Sequence, residues 1–202
     1  VNKGIIDLER MTCNYYWKVF GKTHTTPEWQ KLLEVDRGNI LPLDQMENRY
    51  NHRTVLKLDY ENSHTTVDSL ICDTMGSGSK KSLAMDSLHT FAVSYREPFE
   101  FLTNKDYFRA RFSADVFLPS SFSNKSVYLI FSMIGSRYQN YGYTGTLIDT
   151  NMVKPGKWCN IHVDYITPEI LHRDDRLDMY IWDQGGEKIY FDNVQLEIYE
   201  EK

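Results

Sequence analysis

The sequence predicts a mainly β protein, an antiparallel β-sandwich entered through a short N-terminal α-helical segment. Two changes of rhythm carry this expectation. Up to about residue 52, apolar residues recur every three or four positions, as Ile5, Leu8, Met11, Tyr15, Tyr16 and Val19 do; such spacing lines one face of a helix. From Thr54 onward the period is two, as in a strand with one buried and one solvated face. The third observation is the C-terminal end. Arg176 to Trp182, a Gly185-Gly186 turn, and Lys188 to Tyr199 read as a closing hairpin.

The chain is accordingly divided into a helical segment at 1–52 and a sandwich at 53–202. In the first part, Gly21 ends one helix. Thr26-Pro27-Glu28-Trp29 restarts another, with a capping hydroxyl, a proline at the first helical position and an acid on the helix dipole. Leu43, Met46 and Tyr50 mark a third. Three such short helices bury little alone and are expected to pack on the sandwich or on a neighbouring domain of a larger parent protein.

In the second part, strands are expected at Val55 to Tyr60, Ser82 to Ser87, Phe91 to Tyr95 and Phe99 to Leu102, the last two flanking Pro98 at an edge or bulge. The clearest alternation is at 107–118, where Phe108, Ala110, Phe112, Ala114, Val116 and Leu118 share one face and Arg109, Arg111, Ser113 and Asp115 the other. Val127, Leu129, Phe131 and Met133 form the next inward set, then Cys159, Ile161, Val163 and Tyr165, then Leu177, Met179 and Ile181. About nine strands result, with the segment 136–145 left as a bending loop.

Composition narrows the function classes. Net charge is −5 with the two signs interspersed, so the basic stripe of a nucleic-acid footprint is missing. No apolar run reaches the roughly 18 residues of a membrane span. Cys13, Cys72 and Cys159 are too few and too scattered for a disulfide framework or a zinc site. The start at Val1 is expected to mark a processed or excised piece, with any targeting segment upstream. Catalytic signatures are weak. The six histidines show no H-E-x-x-H spacing, no serine sits in a G-x-S-x-G elbow, and Asp174, Asp175, Asp178 and Asp183 read as a hydrophilic turn. A non-enzymatic role is expected.

Four segments resemble the galactose-binding-like jelly-roll domains that include many carbohydrate-binding modules. They are Leu58-Asp59-Tyr60-Glu61-Asn62, Gly78 to Asp86, Val153-Lys154-Pro155-Gly156-Lys157-Trp158, and Ile189 to Leu196 with its aromatic-D-N-V-x-L pattern. The front end, Pro27-Glu28-Trp29 followed by Ile40 to Met46, is similar to short helical segments of Bacteroidetes-type cell-envelope proteins. Together these resemblances imply a non-catalytic, carbohydrate-binding accessory domain of a bacterial envelope or secreted protein, located outside the cytoplasm. They also imply a structural calcium ion held by Glu61 and Asp192, against the plainer alternative in which Asp192 caps a bulge and Glu61 is solvated. A structural or protein-interaction sandwich without a sugar ligand is the other reading of the same chain.

Sugar recognition needs flat aromatics for the ring faces and planar polar groups for the hydroxyls. With 14 Tyr and 4 Trp the chain is well supplied. The richest stretch is Arg137-Tyr138-Gln139-Asn140-Tyr141-Gly142-Tyr143, where Tyr138, Tyr141 and Tyr143 would stack and Arg137, Gln139 and Asn140 would hydrogen-bond. Trp182 beside the Asp183-Gln184-Gly185-Gly186 turn is a second candidate, and Tyr95 with Arg96 a third.

Overall fold

The computed structural model describes residues 50–61, 70–105, 107–123, 126–135, 140–168 and 170–202, the side chains of Tyr141 and Glu201 aside. Up to residue 49 the expected helical segment lies outside the described residues. The proposed boundary at 52/53 falls within the first strand.

Ten strands and one helical turn follow in order: β1 Tyr50–Leu58, β2 Ile71–Cys72, β3 Ser82–Met85, β4 Phe91–Pro98, α1 Phe99–Leu102, β5 Arg109–Phe117, β6 Val127–Ile134, β7 Asn140–Ile148, β8 Trp158–Ile166, β9 Arg176–Asp183 and β10 Ile189–Glu201. All pairings are antiparallel. Sheet A runs β2-β3-β10-β5-β8, and sheet B runs β4-β9-β6-β7. The 13-residue β10 serves two partners along one edge, β3 against Ile189–Phe191 and β1 against the stretch up to Glu201. This is the antiparallel sandwich expected from the period of two.

Four expectations need correction. The closing hairpin is absent: across the Gly185-Gly186 turn the chain changes sheets, β9 pairing with β4 and β6 in sheet B and β10 with β1, β3 and β5 in sheet A. Phe99–Leu102 is a helical turn, because Pro98 ends β4 and Phe99 and Leu102 then share one buried side at helical spacing. The stretch after Gln139 is the strand β7, hidden in the sequence by Gly142 and Gly145. The first strand begins at Tyr50 and stops at Leu58, since Tyr60 takes a left-handed φ of 58°.

The core lies between the layers. Phe112 of sheet A meets Phe131 of sheet B edge-on at 6.0 Å, and Tyr165 of sheet A stacks on Phe131 at 5.4 Å. Leu129, Met133, Met179, Ile181, Leu196 and Ile198 complete the same buried cluster. Below them, Phe99 stacks on Phe108 at 5.1 Å and closes one end. Cys159, in the inward set of β8, packs against this core as a free thiol but is only partly buried.

Two strands carry an extra residue. In β4, Ala92 opposes Ile181 and Tyr95 opposes Met179, so Val93 and Ser94 together face Tyr180. Val93 has φ 51°, a rare state for a β-branched residue, and this bulge turns both Ala92 and Val93 inward. It also lets Phe91 and Arg96, five residues apart, emerge on one face, which a regular strand forbids. In β10 the slip lies between Asp192 and Gln195, with Asn193 at φ 47°.

Gly142 sits where the tip of Tyr165 and Pro168 press against β7. A Cβ there would meet the Tyr165 hydroxyl, itself buried, and Pro168 Cγ at 2.9 Å. Gly142→Ala therefore lowers the unfolding free energy by about 1–3 kcal/mol through overpacking, read as a reduced urea midpoint; an unchanged midpoint would show that the two layers are looser here than described.

Candidate functional site

On sheet B, Val127, Leu129, Phe131 and Met133 of β6 point inward. By strand alternation Tyr128, Ile130, Ser132 and Ile134 point outward. The register then assembles an outer face in rows. Phe91, Trp182, Tyr128 and Leu147 share one row across β4, β9, β6 and β7. Tyr180, Ile130 and Gly145 form the next, and Arg96, Asp178, Ser132 and Tyr143 the third.

Aromatic rings dominate this face. Phe91 and Trp182 lie parallel within 5° at 5.9 Å, with Tyr128 6.1 Å from Trp182 and Tyr180 5.9 Å from Phe91. Phe91, Tyr143 and Leu147 are exposed, at 58%, 53% and 40%. Ile130, although it points out of the sandwich, is fully buried. Tyr180 and Tyr143 stand on the strands to either side of it, one row apart, and Tyr143 lies near enough to both Tyr180 and Tyr128 for each to act on its ionisation. Burial, with the neighbouring groups, raises the pKa of both Tyr143 and Tyr180, so both hydroxyls stay protonated at neutral pH.

The polar corner is the Arg96–Asp178 pair. Arg96 Nε donates to both carboxylate oxygens at 3.0 and 2.9 Å, and an Nη donates at 2.6 Å. Asp178 is 6% exposed at its side chain and Arg96 53%, so a buried carboxylate fixes a guanidinium whose other side meets water. Such a bidentate pair has a set orientation that an exposed lysine would lack.

The predicted ligand residues separate. Trp182 and Tyr143 are brought onto this face, and Asn140 is exposed at the start of β7 next to Ile134. Tyr141 belongs to β7, with its side chain outside the description, and Arg137, Tyr138 and Gln139 lie outside the described residues altogether. Arg96 joins the face, while Tyr95 packs against the core. Asp178, expected in a hydrophilic turn, is the strand residue that anchors Arg96. Asp175 and Asp183 do serve turns: Asp175 accepts from the amides of Leu171 and His172, Asp183 from those of Gly185 and Gly186. Phe91, Tyr128, Tyr180 and Ile130 were missed. Tyr128, Ile130 and Tyr180 occupy the solvent phase of β6 and β9, which alternation alone could have flagged, whereas the Val93 bulge puts Phe91 out of phase with the rest of β4.

Glu61 and Asp192 meet the same loop. Asp192 accepts from Ser77 N at 2.7 Å, Ser79 Oγ at 2.8 Å and Asn193 N at 2.7 Å. Glu61 accepts from Lys80 N at 2.7 Å and Lys81 N at 2.6 Å. Asn193 Nδ2 bridges to Asp115 at 2.8 Å. Those amide donors lower the Glu61 pKa, the Lys81 amide most. Burial raises that of Asp192 despite its donors. Calcium takes carboxylate and carbonyl oxygens, so an ion bridging the two acids would have to displace these N–H groups and turn loop carbonyls inward. No group of three or more metal-ligating His, Cys, Asp or Glu residues forms among the described residues.

No protein-family model matches the chain, and no curated protein matches it. Solved structures do. The CBM22-1 xylan-binding domain of Xyn10C from Paenibacillus barcinonensis superposes with a TM-score of 0.52 at 13% identity, covering 75% of this chain and 98% of that domain. The CBM22-1-CBM22-2 tandem of the same protein gives 0.51 at 13% identity, over 73% of this chain and 46% of the tandem. The chain has the β-sandwich fold of carbohydrate-binding modules. Among the described residues no helix is long and apolar enough to cross a membrane.

Arg96→Met should leave the Asp178 carboxylate buried without its guanidinium and destabilise the fold by about 3–5 kcal/mol. Replacing both partners, Arg96→Met with Asp178→Leu, should recover most of that loss. Chemical denaturation of the three variants measures this, and equal costs for the single and double variants would remove the pair from the account.

Proposed function

We infer that the outer face of sheet B is a carbohydrate-binding platform and that the chain is a non-catalytic binding module. The cluster of Phe91, Trp182, Tyr128, Tyr180 and Tyr143 around the fully buried, outward-pointing Ile130, with its parallel Phe91–Trp182 pair, carries this reading. Aromatic surface on a sheet face, with hydroxyls and a fixed guanidinium at its margin, matches the amphipathic surface of a sugar. The C–H faces of pyranose rings would stack on Trp182, Phe91 and the tyrosines. Hydroxyls would pair with the phenols of Tyr128, Tyr143 and Tyr180, with Arg96 and with Asn140. A solved domain of the same fold is described as xylan-binding, which favours a polysaccharide over an unrelated ligand.

The biological setting proposed for such a module is an accessory part of an envelope or secreted protein, where polysaccharide is met. Glu61 and Asp192 are proposed to fasten the 77–81 loop directly, in the position where the resemblance places calcium. Thermal unfolding checks this: saturating calcium and excess chelator should give the same midpoint, and a rise of several degrees with calcium would assign the ion to these acids instead.

Affinity electrophoresis against soluble xylans, mixed-linkage glucans and mannans, followed by calorimetry, tests the platform. Trp182→Ala and Tyr180→Ala should each weaken binding by about 1–3 kcal/mol, the range for a lost aromatic surface or hot-spot ring. Trp158→Ala, on the outer face of sheet A, should leave affinity unchanged. Equal effects from all three variants, or no binding by the parent chain to any polymer, would remove the proposal.

A further inference from the structure

Among the described residues, the charged side chains at outward positions of sheet B are Arg96 on β4 and Asp178 and Arg176 on β9. β6 and β7 contribute none. Leu177, Met179 and Ile181 of β9 fill the core, so Arg176 stands on the same face as Asp178, two residues and roughly 6.6–6.8 Å along the strand. The acid is withdrawn, its side chain 6% exposed, whereas that of Arg96 is 53% exposed. Arg176 is partly exposed. The face thus turns its cations to solvent and its carboxylate away, on a chain whose net charge is −5.

Hydroxyls of a neutral sugar are matched by phenols and amides, and Tyr143, Tyr180 and Asn140 already supply these. A guanidinium pinned in one orientation suits a different group. Asp178 holds Nε and Nη2, one edge of the planar fork. The two Nη groups form a second edge of parallel donors, spaced for a carboxylate. Because Asp178 is buried beneath the guanidinium, an anion arriving from solvent meets the cation at contact and the acid only at longer range, where its repulsion is weaker. We propose, resting on the platform reading above, that the ligand is an acidic polysaccharide whose uronic acid carboxylates are received by Arg96, with Arg176 adding to the local positive field. Arg96 shares a row with Tyr143 and lies one row from Tyr180, on the edge strand β4. A uronic acid ring stacked on the tyrosines carries its C6 carboxylate at its rim, toward that margin.

Calorimetry of the full chain with glucuronoxylan, and with the same polymer after its carboxyls are reduced to alcohols, reads the contribution of the charge on a constant backbone. The intact polymer should bind at least about tenfold tighter than the reduced one, the least that a charge-assisted hydrogen bond supplies. Salt at about 0.5 M should narrow the difference. Arg96→Met combined with Asp178→Leu, the pair of changes expected to keep the fold, should bind the two forms alike. Arg176→Gln should lower the preference by no more than about threefold. Equal losses from the two variants would reduce the effect to net charge and overturn the role of Arg96. Equal affinity of the parent chain for the two forms, or binding to neutral glucans or mannans and to neither form, overturns the acidic ligand and leaves the platform standing. A chain that binds none of these polymers removes both.

Discussion

Phe131 of sheet B packs on two rings of the facing sheet A, edge-on to Phe112 and flat against Tyr165, and the alignment of β6 follows from that contact. Removing such a ring typically costs about 3–5 kcal/mol in a core. Its structural consequence is larger than its energy. With Phe131 pinned inward, Tyr128, Ile130 and Ser132 must point outward, and the pairings to β9 and β7 place Trp182, Tyr180, Asp178, Gly145 and Tyr143 beside them. A slip of one residue would bury the tyrosines and expose Leu129 and Phe131. The outer platform is thus specified by the inner packing, and neither face can be altered in register without the other.

Carboxylates do a second kind of work. Asp175, Asp183, Asp192 and Glu61 each accept backbone amides from a nearby turn or loop. Three of these acids are buried, and a buried acid left without donors would cost several kcal/mol. They therefore fasten loops only because the amides are supplied in the right geometry. Asp178 differs in receiving a charged side chain, Arg96, and the result is a fixed cation at the margin of the outer face rather than a fixed turn.

The sandwich was legible because β5, β6, β8 and β9 alternate without interruption, and the closing strand carries its motif intact. β7 was not, because Gly142 and Gly145 remove the side chains that would reveal its period, and both are required by close contacts invisible in one dimension, with Tyr165 and Pro168 beneath one and Ile130 beside the other. The Val93 bulge hid the partnership of Phe91 with Arg96 for a related reason: an odd separation reads as opposite faces until an extra residue restores the phase. Trp182 and Tyr143 were identifiable as aromatics in suspicious places, but Tyr128 and Tyr180 looked like ordinary members of hydrophobic strands. Only pairing across three strands shows that they share one surface.

The two outward faces of the sandwich dispose their side chains differently. On sheet A the polar side chains largely answer one another: Arg111 with Asp164 at 2.7 Å, His52 with Glu197 at 2.9 Å, Asn160 with Asp115 at 2.8 Å. Its aromatic row, Tyr190, Phe117 and Trp158, meets at interplanar angles of 75° and 52°, with Lys188 over the Tyr190 ring. On sheet B the Phe91 and Trp182 rings are parallel, while Tyr180 meets Phe91 at 56° and Tyr128 meets Trp182 at 37°. Three rings thus pack on one another on sheet A, whereas the five of sheet B, with Phe91 and Tyr143 more than half exposed, leave a hydroxyl-bearing apolar plane open to solvent. Water covers that plane poorly, and a stacked sugar ring would release it.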